Sequence, residues 1–408
     1  MRLLNILASF FLVATLVACD LFESNKKPTD IQLDEKSAQL VESNNTFGFD
    51  FFETIVAGEE ANKNIMVSPL SVSQALSMAT NGATENTFTQ MQQVLGFEGF
   101  SLPEMNDCNN KVVNSLLNHD SKVKIEIANS IWYRNNFTVK AGFIGDNKSF
   151  YNAEVRSFNQ SQPEKTKEAI NKWVDDKTSG KIDKIIDQVN ADDVMFLINA
   201  VYFKAKWKTE FKKKNTEPIN FTLDDGTEKK VETMIGEVEL SYYNDEKFSV
   251  IELPYGSGKF NMLVYLPEEG YTTNDIVSEI KNTDFDQLDQ LALVKRDLYF
   301  PKFEFRYENK LNDALETMGM TDAFDTKAAN FGNISDENIF ISEVKHKTYI
   351  KTDEEGTEAA AATSITFGYT SVGPEGIIKI DRSFLFAIVE EDTHSILFIG
   401  KVFDPTKN

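Results

Sequence analysis

Nothing constrains this chain more than residues Glu354 to Val372, which read Glu-Glu-Gly-Thr-Glu-Ala-Ala-Ala-Ala-Thr-Ser-Ile-Thr-Phe-Gly-Tyr-Thr-Ser-Val. From Gly356 to Ala362 no side chain is larger than Glu358, and four alanines run consecutively. Taken alone, Thr357 onward would cap and start a short surface helix, with Glu358 in its first turn. The pattern then changes: Ile365, Phe367 and Tyr369 alternate with Thr366 and Gly368, the period of a strand with one buried face. The stretch is therefore small-sided where it begins and strand-patterned where it ends. Such a segment can slip between other strands and pair with them.

Its surroundings are strands as well. Upstream, Ile339 to Asp353 carries Val344, His346, Thr348 and Ile350 on one face. Downstream, the apolar runs Ser383–Val389 and Ser395–Gly400 are joined by Glu390-Glu391-Asp392-Thr393-His394, a hairpin signal. An exposed loop held between strands and carrying its own strand pattern resembles the reactive-centre loop of the serpins. Glu354, Gly356, Thr357, Glu358, Ala359, Ala360, Ala361 and Ala362 match that family's hinge motif closely.

The chain opens with a processing segment. Arg2 precedes an apolar run from Leu3 to Val17, and Leu16-Val17-Ala18-Cys19 resembles the lipobox of bacterial lipoproteins. The run is shorter than the ~20 residues of a spanning helix. We expect residues 1–18 to be a lipoprotein signal peptide, Cys19 to be lipidated and residues 19–34 to form a tether. An ordinary signal peptide or an uncleaved anchor are the alternatives. Removing residues 1–18 takes away one Arg and no acid, so the formal charge of −22 becomes −23. That balance argues against nucleic acid and anionic lipid as partners, leaving lipid to anchor the chain. With Cys19 modified only Cys108 remains, so a packed core rather than disulfides must hold the exported protein together. Outer membrane or cell surface is the expected location, with the periplasmic face left open by Asp20.

The body supplies helices first. Ser37 to Val56 places Phe47, Phe51 and Ile55, with Phe52 and Val56, on one stripe. Ser68-Pro69 is a helix start, Ser as cap and Pro in the first turn. Lys124–Tyr133 reads as a strand, Ala169–Ile182 as a helix stopped by Gly180, and Val194–Trp207 as a strand buried on both faces. Strand–turn–strand units follow around Asp224-Asp225-Gly226 and Gly256-Ser257-Gly258. Segments around Ser68, Lys172, Ala200 and Met318 resemble serpin segments in the family's order. No Pro/Gly/Ser-rich linker or repeat interrupts residues 35–408, which we expect to form a single domain. The resemblance covers about Leu33 to Pro405. It implies an α+β fold with three β-sheets, eight to nine helices and an exposed reactive-centre loop at about 354–376.

Enzyme signatures are missing. His119, His346 and His394 share no zinc spacing, and there is no C-x-x-C, G-x-S-x-G elbow or phosphate loop. No enzymatic activity, metal or cofactor is expected. What the resemblance implies is suicide inhibition of serine proteases, with papain-like cysteine proteases as a further class. The target cleaves the loop, the Gly356 side inserts into the main sheet, and the protease is trapped covalently. An inserting strand would turn Thr357, Ala359, Ala361, Thr363, Ile365, Phe367 and Tyr369 inward, and slipping by one residue would bury Glu358. About fourteen residues at ~3.3 Å each would carry the loop's end some 45 Å.

The family's spacing from Glu354 puts the scissile bond between Thr370 and Ser371. Tyr369 is the next candidate, and counting back from Phe384 points instead to Val372. These side chains suit elastase-, chymotrypsin- or subtilisin-like targets. By resemblance, Lys302 pairs with Glu354, Trp207 packs under the opening sheet, and Ser68, Ser71, Asn199 and His346 form a polar cluster beneath it. All would control sheet opening. A monomer is expected. The alternative function is a non-inhibitory serpin-fold binding or carrier lipoprotein, although the hinge lacks the bulky or charged residues common in such relatives.

Overall fold

The structure, a computed structural model, describes residues 28–117, 119–191, 193–357 and 376–407. Cys19, Glu358, Ala359–Ala362, Tyr369, Thr370 and Ser371 therefore lie outside the described residues. In chain order come α1 (Glu35–Gly58), β1 (Ile65–Val67), α2 (Pro69–Thr80), α3 (Glu85–Leu95), α4 (Leu102–Leu116), β2 (Val123–Arg134), α5 (Ala141–Tyr151), β3 (Glu154–Phe158), α6 (Pro163–Lys177) and β4 (Met195–Lys206). Then follow β5 (Glu217–Thr222), β6 (Glu228–Asn244), β7 (Phe248–Tyr255), β8 (Phe260–Pro267), the short α7 (Thr273–Ile276) and α8 (Phe285–Asp289), β9 (Val294–Pro301), β10 (Phe303–Lys310) and α9 (Asn312–Thr317). The last strands are β11 (Lys345–Asp353), the two-residue β12 (Gly356–Thr357), β13 (Ile377–Lys379), β14 (Phe384–Glu390) and β15 (Ile396–Val402). The fold is α+β, with nine α-helices among the described residues.

The strands form two hydrogen-bonded units. One is six-stranded, in the order β10-β11-β12-β4-β2-β3. The other is nine-stranded, β1-β15-β14-β8-β7-β6-β9-β13, with β5 beside β6. Two of the three expected sheets are continuous because the long β6 serves both. Its body pairs with β5 and β9, and its last residues, Ser241–Asn244, pair with β7. Every residue of β8, β14 and β15 is buried, which accounts for their unbroken apolar runs. The main apolar cluster reaches from Leu40 to Phe403.

Local sequence explains the helices nearest the centre. Asp34 caps α1 by accepting from the Ser37 amide at 2.8 Å, and Phe47, Phe51, Phe52, Ile55 and Val56 face the core. Ser68 caps α2 and Pro69 occupies its first turn, where a missing amide hydrogen does no harm. All residues of α2 except Ala75 are buried. The crossing of α1 over α2 needs Gly48, since a Cβ there would lie 2.9 Å from Pro69 Cβ.

Two expectations on element bounds and one on burial are corrected. The helix expected at Ala169–Ile182 begins at Pro163, again a first-turn proline, and ends at Lys177, with Ser179 and Gly180 left-handed. Strand pairing after Ile339 begins only at Lys345. Before it the backbone is occupied elsewhere: Ile341 donates to the Ala323 carbonyl at 2.9 Å and Val344 to Asn312 Oδ1 at 2.9 Å. β4 has both faces lined, its even residues Phe196, Ile198 and Ala200 by the α6 cluster and its odd ones by the main core. Met195, Leu197, Asn199 and Val201 nevertheless stay half-buried, because cavities run along them.

Candidate functional site: the gap between β4 and β11

In β11, His346, Thr348, Ile350 and Thr352 are buried, while the residues between them are half-buried. Beyond Asp353 the chain reverses at Glu354-Glu355 and returns as β12, antiparallel to both neighbours. Thr357 lies opposite Thr352 of β11 and Ala205 of β4, and Gly356 lies opposite Asp353 and Lys206. Gly356 has φ +152°, and a Cβ on it would sit 2.1 Å from the Ala205 carbonyl oxygen and 2.7 Å from Lys206 Cα. Only glycine admits this entry. Thr357 turns inward, its hydroxyl bonded to the Tyr255 hydroxyl.

The reversal is held from several directions. Backbone amides of Trp207 and Phe211 donate to the carbonyls of Glu355 and Glu354, both at 2.9 Å. The Trp207 indole donates to the Asp353 carbonyl at 2.9 Å, and its ring stacks on Tyr255 at 4.5 Å between centroids and 9° between planes. Lys302 Nζ lies 2.9 Å from both carboxylate oxygens of Glu354, and Thr216 Oγ1 donates to one of them at 2.7 Å. Lys213 pairs with Glu355 at 2.8 Å. Burial works against the charge of Glu354, but hydrogen bonds from Lys302 and Thr216 outweigh it and hold the carboxyl below its usual value. Sequence reasoning missed Thr216, Lys213 and Tyr255. Lys213 sits in a Lys212–Lys214 run that reads as a solvated charge cluster, and no local pattern marks the other two.

Below β12 the two long strands part. Among the described residues β4 and β11 are linked only through Gly356 and Thr357. A cavity of about 600 Å³ opens between the start of β4, α2 and residues 338–346. Ser71, Leu197, Asn199 and His346 line it.

The predicted polar residues meet at its wall. The Ser68 amide donates to His346 Nε2 at 3.0 Å, and the Ser68 hydroxyl donates to the Leu397 carbonyl at 2.7 Å and accepts from the Ser71 amide at 3.2 Å. The Ser71 hydroxyl donates to Asn199 Oδ1 at 2.5 Å; Asn199 Nδ2 donates to Asn129 Oδ1 at 2.7 Å, and Asn129 to the Tyr151 carbonyl at 2.8 Å. Burial pushes His346 down to about 4, so its imidazole is neutral at pH 7. Since Nε2 accepts from an amide, the ring proton belongs on Nδ1. Asn129 extends this chain to α5, a link that sequence reasoning did not supply.

Comparison with known proteins points the same way. The family model described as serpin (serine protease inhibitor) matches residues 42–405. A serpin-like protein of Methanosarcina acetivorans is 34% identical, covering 89% of this chain and 87% of its own. Among solved structures, the thermophilic serpin tengpin in its native state superposes with a TM-score of 0.82 at 33% identity, covering 94% of this chain and 98% of that one. Human thyroxine-binding globulin complexed with thyroxine superposes at 0.81 and 30% identity, covering 91% of this chain and 100% of that one.

Proposed function

This chain belongs to the serpin family, and on that premise we propose that it is a suicide-substrate inhibitor of serine proteases, with papain-like cysteine proteases as a second class of target. Protease inhibition in general is the family's function. The observation that carries the specific mechanism is β12. The chain beyond Glu354-Glu355 has already reversed and entered the sheet between β4 and β11, and the gap continues below it. Cleavage within the loop would free that strand to grow downward, past the cavity and the Ser71–Asn199–His346 cluster. Elastase-, chymotrypsin- and subtilisin-like enzymes are the targets suited to a bond at Thr370–Ser371, or at Tyr369–Thr370.

Mixing the protein with such proteases, followed by a denaturing gel and mass spectrometry of the released C-terminal peptide, tests this. An SDS-resistant band at the summed mass, with a peptide starting at Ser371, is expected. A start at Thr370 moves the specificity to Tyr369, and complete cleavage with the protease still active sinks the inhibitor reading. A carrier role is the second reading, supported by the likeness to thyroxine-binding globulin complexed with thyroxine; it would gain if every protease cleaves without being trapped.

The proposal includes export and anchoring through Cys19 to the outer membrane or cell surface. An N-terminal peptide carrying acyl chains on Cys19 is the expected finding in membrane-extracted protein, and an unmodified Cys19 removes the anchor. The periplasmic face is distinguished by protease accessibility on whole cells.

A further inference from the structure

Away from the sheet gap, the turn between β14 and β15 meets the link between α4 and β2. His119 comes from that link, Glu390 ends β14, and Asp392 lies in the turn. Their side chains are 4%, 0% and 13% exposed. His119 Nε2 lies at ion-pair distance, 3.2 Å, from both Glu390 Oε1 and Asp392 Oδ2, yet among the described residues it makes no hydrogen bond. An enclosed imidazole nitrogen aimed at two carboxylates without bonding either leaves a polar group unsatisfied, which buried groups rarely tolerate.

Donor spacing and chemistry suggest what would satisfy it. Donors at the usual zinc–nitrogen and zinc–oxygen lengths lie about 3.3 Å apart across a tetrahedral angle. Both distances from Nε2 match that edge, and the three donor atoms all fall within 4.8 Å of one another. One imidazole with two carboxylates suits zinc and its first-row neighbours better than calcium or magnesium, which favour all-oxygen shells. We propose that His119, Glu390 and Asp392 bind one divalent transition metal of the zinc class, with water completing the shell.

The carboxylates are already oriented for this. Glu390 accepts from the amides of Asp392 and Thr393, both at 2.9 Å, and from the Thr393 hydroxyl at 2.6 Å. Asp392 Oδ2 accepts from the Ile31 amide at 2.8 Å, and Oδ1 accepts from Lys259 at 2.6 Å. Each oxygen has two lone pairs, so Oε1 and Oδ2 keep one for a metal. Outer partners that fix ligands in this way are a regular part of metal sites. Lys259 also reaches Asp30 at 2.6 Å, so a bound ion would tie the segment before α1, the α4–β2 link and the last hairpin into one unit.

Equilibrium dialysis of the chelator-stripped full chain against zinc chloride, with metal counted by mass spectrometry, tests the site. One zinc per chain and a raised melting temperature are expected. His119→Gln and Asp392→Asn, which remove ligands themselves, should each weaken binding by more than the roughly 10–100-fold that loss of an outer partner costs. His394→Gln, removing the other histidine that faces a carboxylate (Asp289, at 3.1 Å), should leave it unchanged. Zinc K-edge absorption on the unmutated protein gives a readout independent of any variant's folding, and imidazole scattering from a single histidine is expected. No retained zinc, undiminished binding in His119→Gln, equal loss in His394→Gln, or a first shell without imidazole would each overturn the proposal.

Discussion

The two ends of the gap between β4 and β11 are built on opposite principles. At the upper end, where β12 enters, nearly every group is committed: Glu354 to Lys302 and Thr216, Glu355 to Lys213, and Trp207 to Asp353 and Tyr255. At the lower end the same strands face a cavity of about 600 Å³, and a single chain of hydrogen bonds from His346 to Asn129 lines its wall. One end fixes where a third strand starts. The other leaves room for it to continue. The difference is one of commitment: among the described residues β4 and β11 are not paired with each other below Thr357, and the bonded groups gather where β12 enters.

The sharpest way to break this contrast is Gly356→Val. Its Cβ would meet the backbone of Ala205 and Lys206, which cannot swing aside as a side chain can. We expect β12 to detach and the protein to be cleaved without trapping. With each ~1.4 kcal/mol of added barrier worth tenfold in rate, covalent complex should fall roughly ten- to hundredfold on a denaturing gel. Next is Trp207→Ala, which removes the stack on Tyr255 and the bond to the Asp353 carbonyl; a loss of about 3–5 kcal/mol in urea unfolding is expected.

The lower end has its own signature, in pH. His346 is held at about 4 when folded, against an ordinary value of 6.5, so the unfolded chain binds the extra proton first. Its contribution is fully present above about pH 6.5 and is lost as pH falls toward 4, on the order of 3 kcal/mol in all. His346→Asn should flatten that part of the stability profile. The smallest effect is expected from Lys302→Met. It leaves Glu354 buried with Thr216 as its remaining side-chain donor and should cost about 1–3 kcal/mol, tempered by the partial exposure of Lys302. Because Glu354 is held below its usual value, the pair's contribution fades as pH drops through that lowered value. A double-mutant cycle with Glu354→Gln isolates the coupling.

Much of this was legible in the sequence where physics is local. The cap at Ser68, the stripe of α1 and the hairpin of β14 and β15 follow from spacing within a few residues. Gly356 was legible only as part of a motif, since the reason for it is a carbonyl on another strand. The start of β11 was misread because Ile339–Val344 has strand periodicity, but the Ile341 and Val344 amides are taken by Ala323 and Asn312. The exposure of Met195 and Leu197 could not be foreseen from an apolar run, because a cavity is a property of several elements at once. His119 meets Glu390 and Asp392 from the far end of the chain, and no spacing rule reaches that distance.

Beginning is the costly part of any cooperative structure, because the first contacts must immobilise several dihedrals before later ones can reward them. In β12 the beginning is already made: the chain has reversed, and two rungs are in place on both sides. Whatever follows Thr357 into the sheet grows on an existing edge, rung by rung, with no fresh turn to close. Growth of that kind is limited by how fast each successive rung can be filled, so its pace answers to the walls of the channel more than to the residues that first stepped into it.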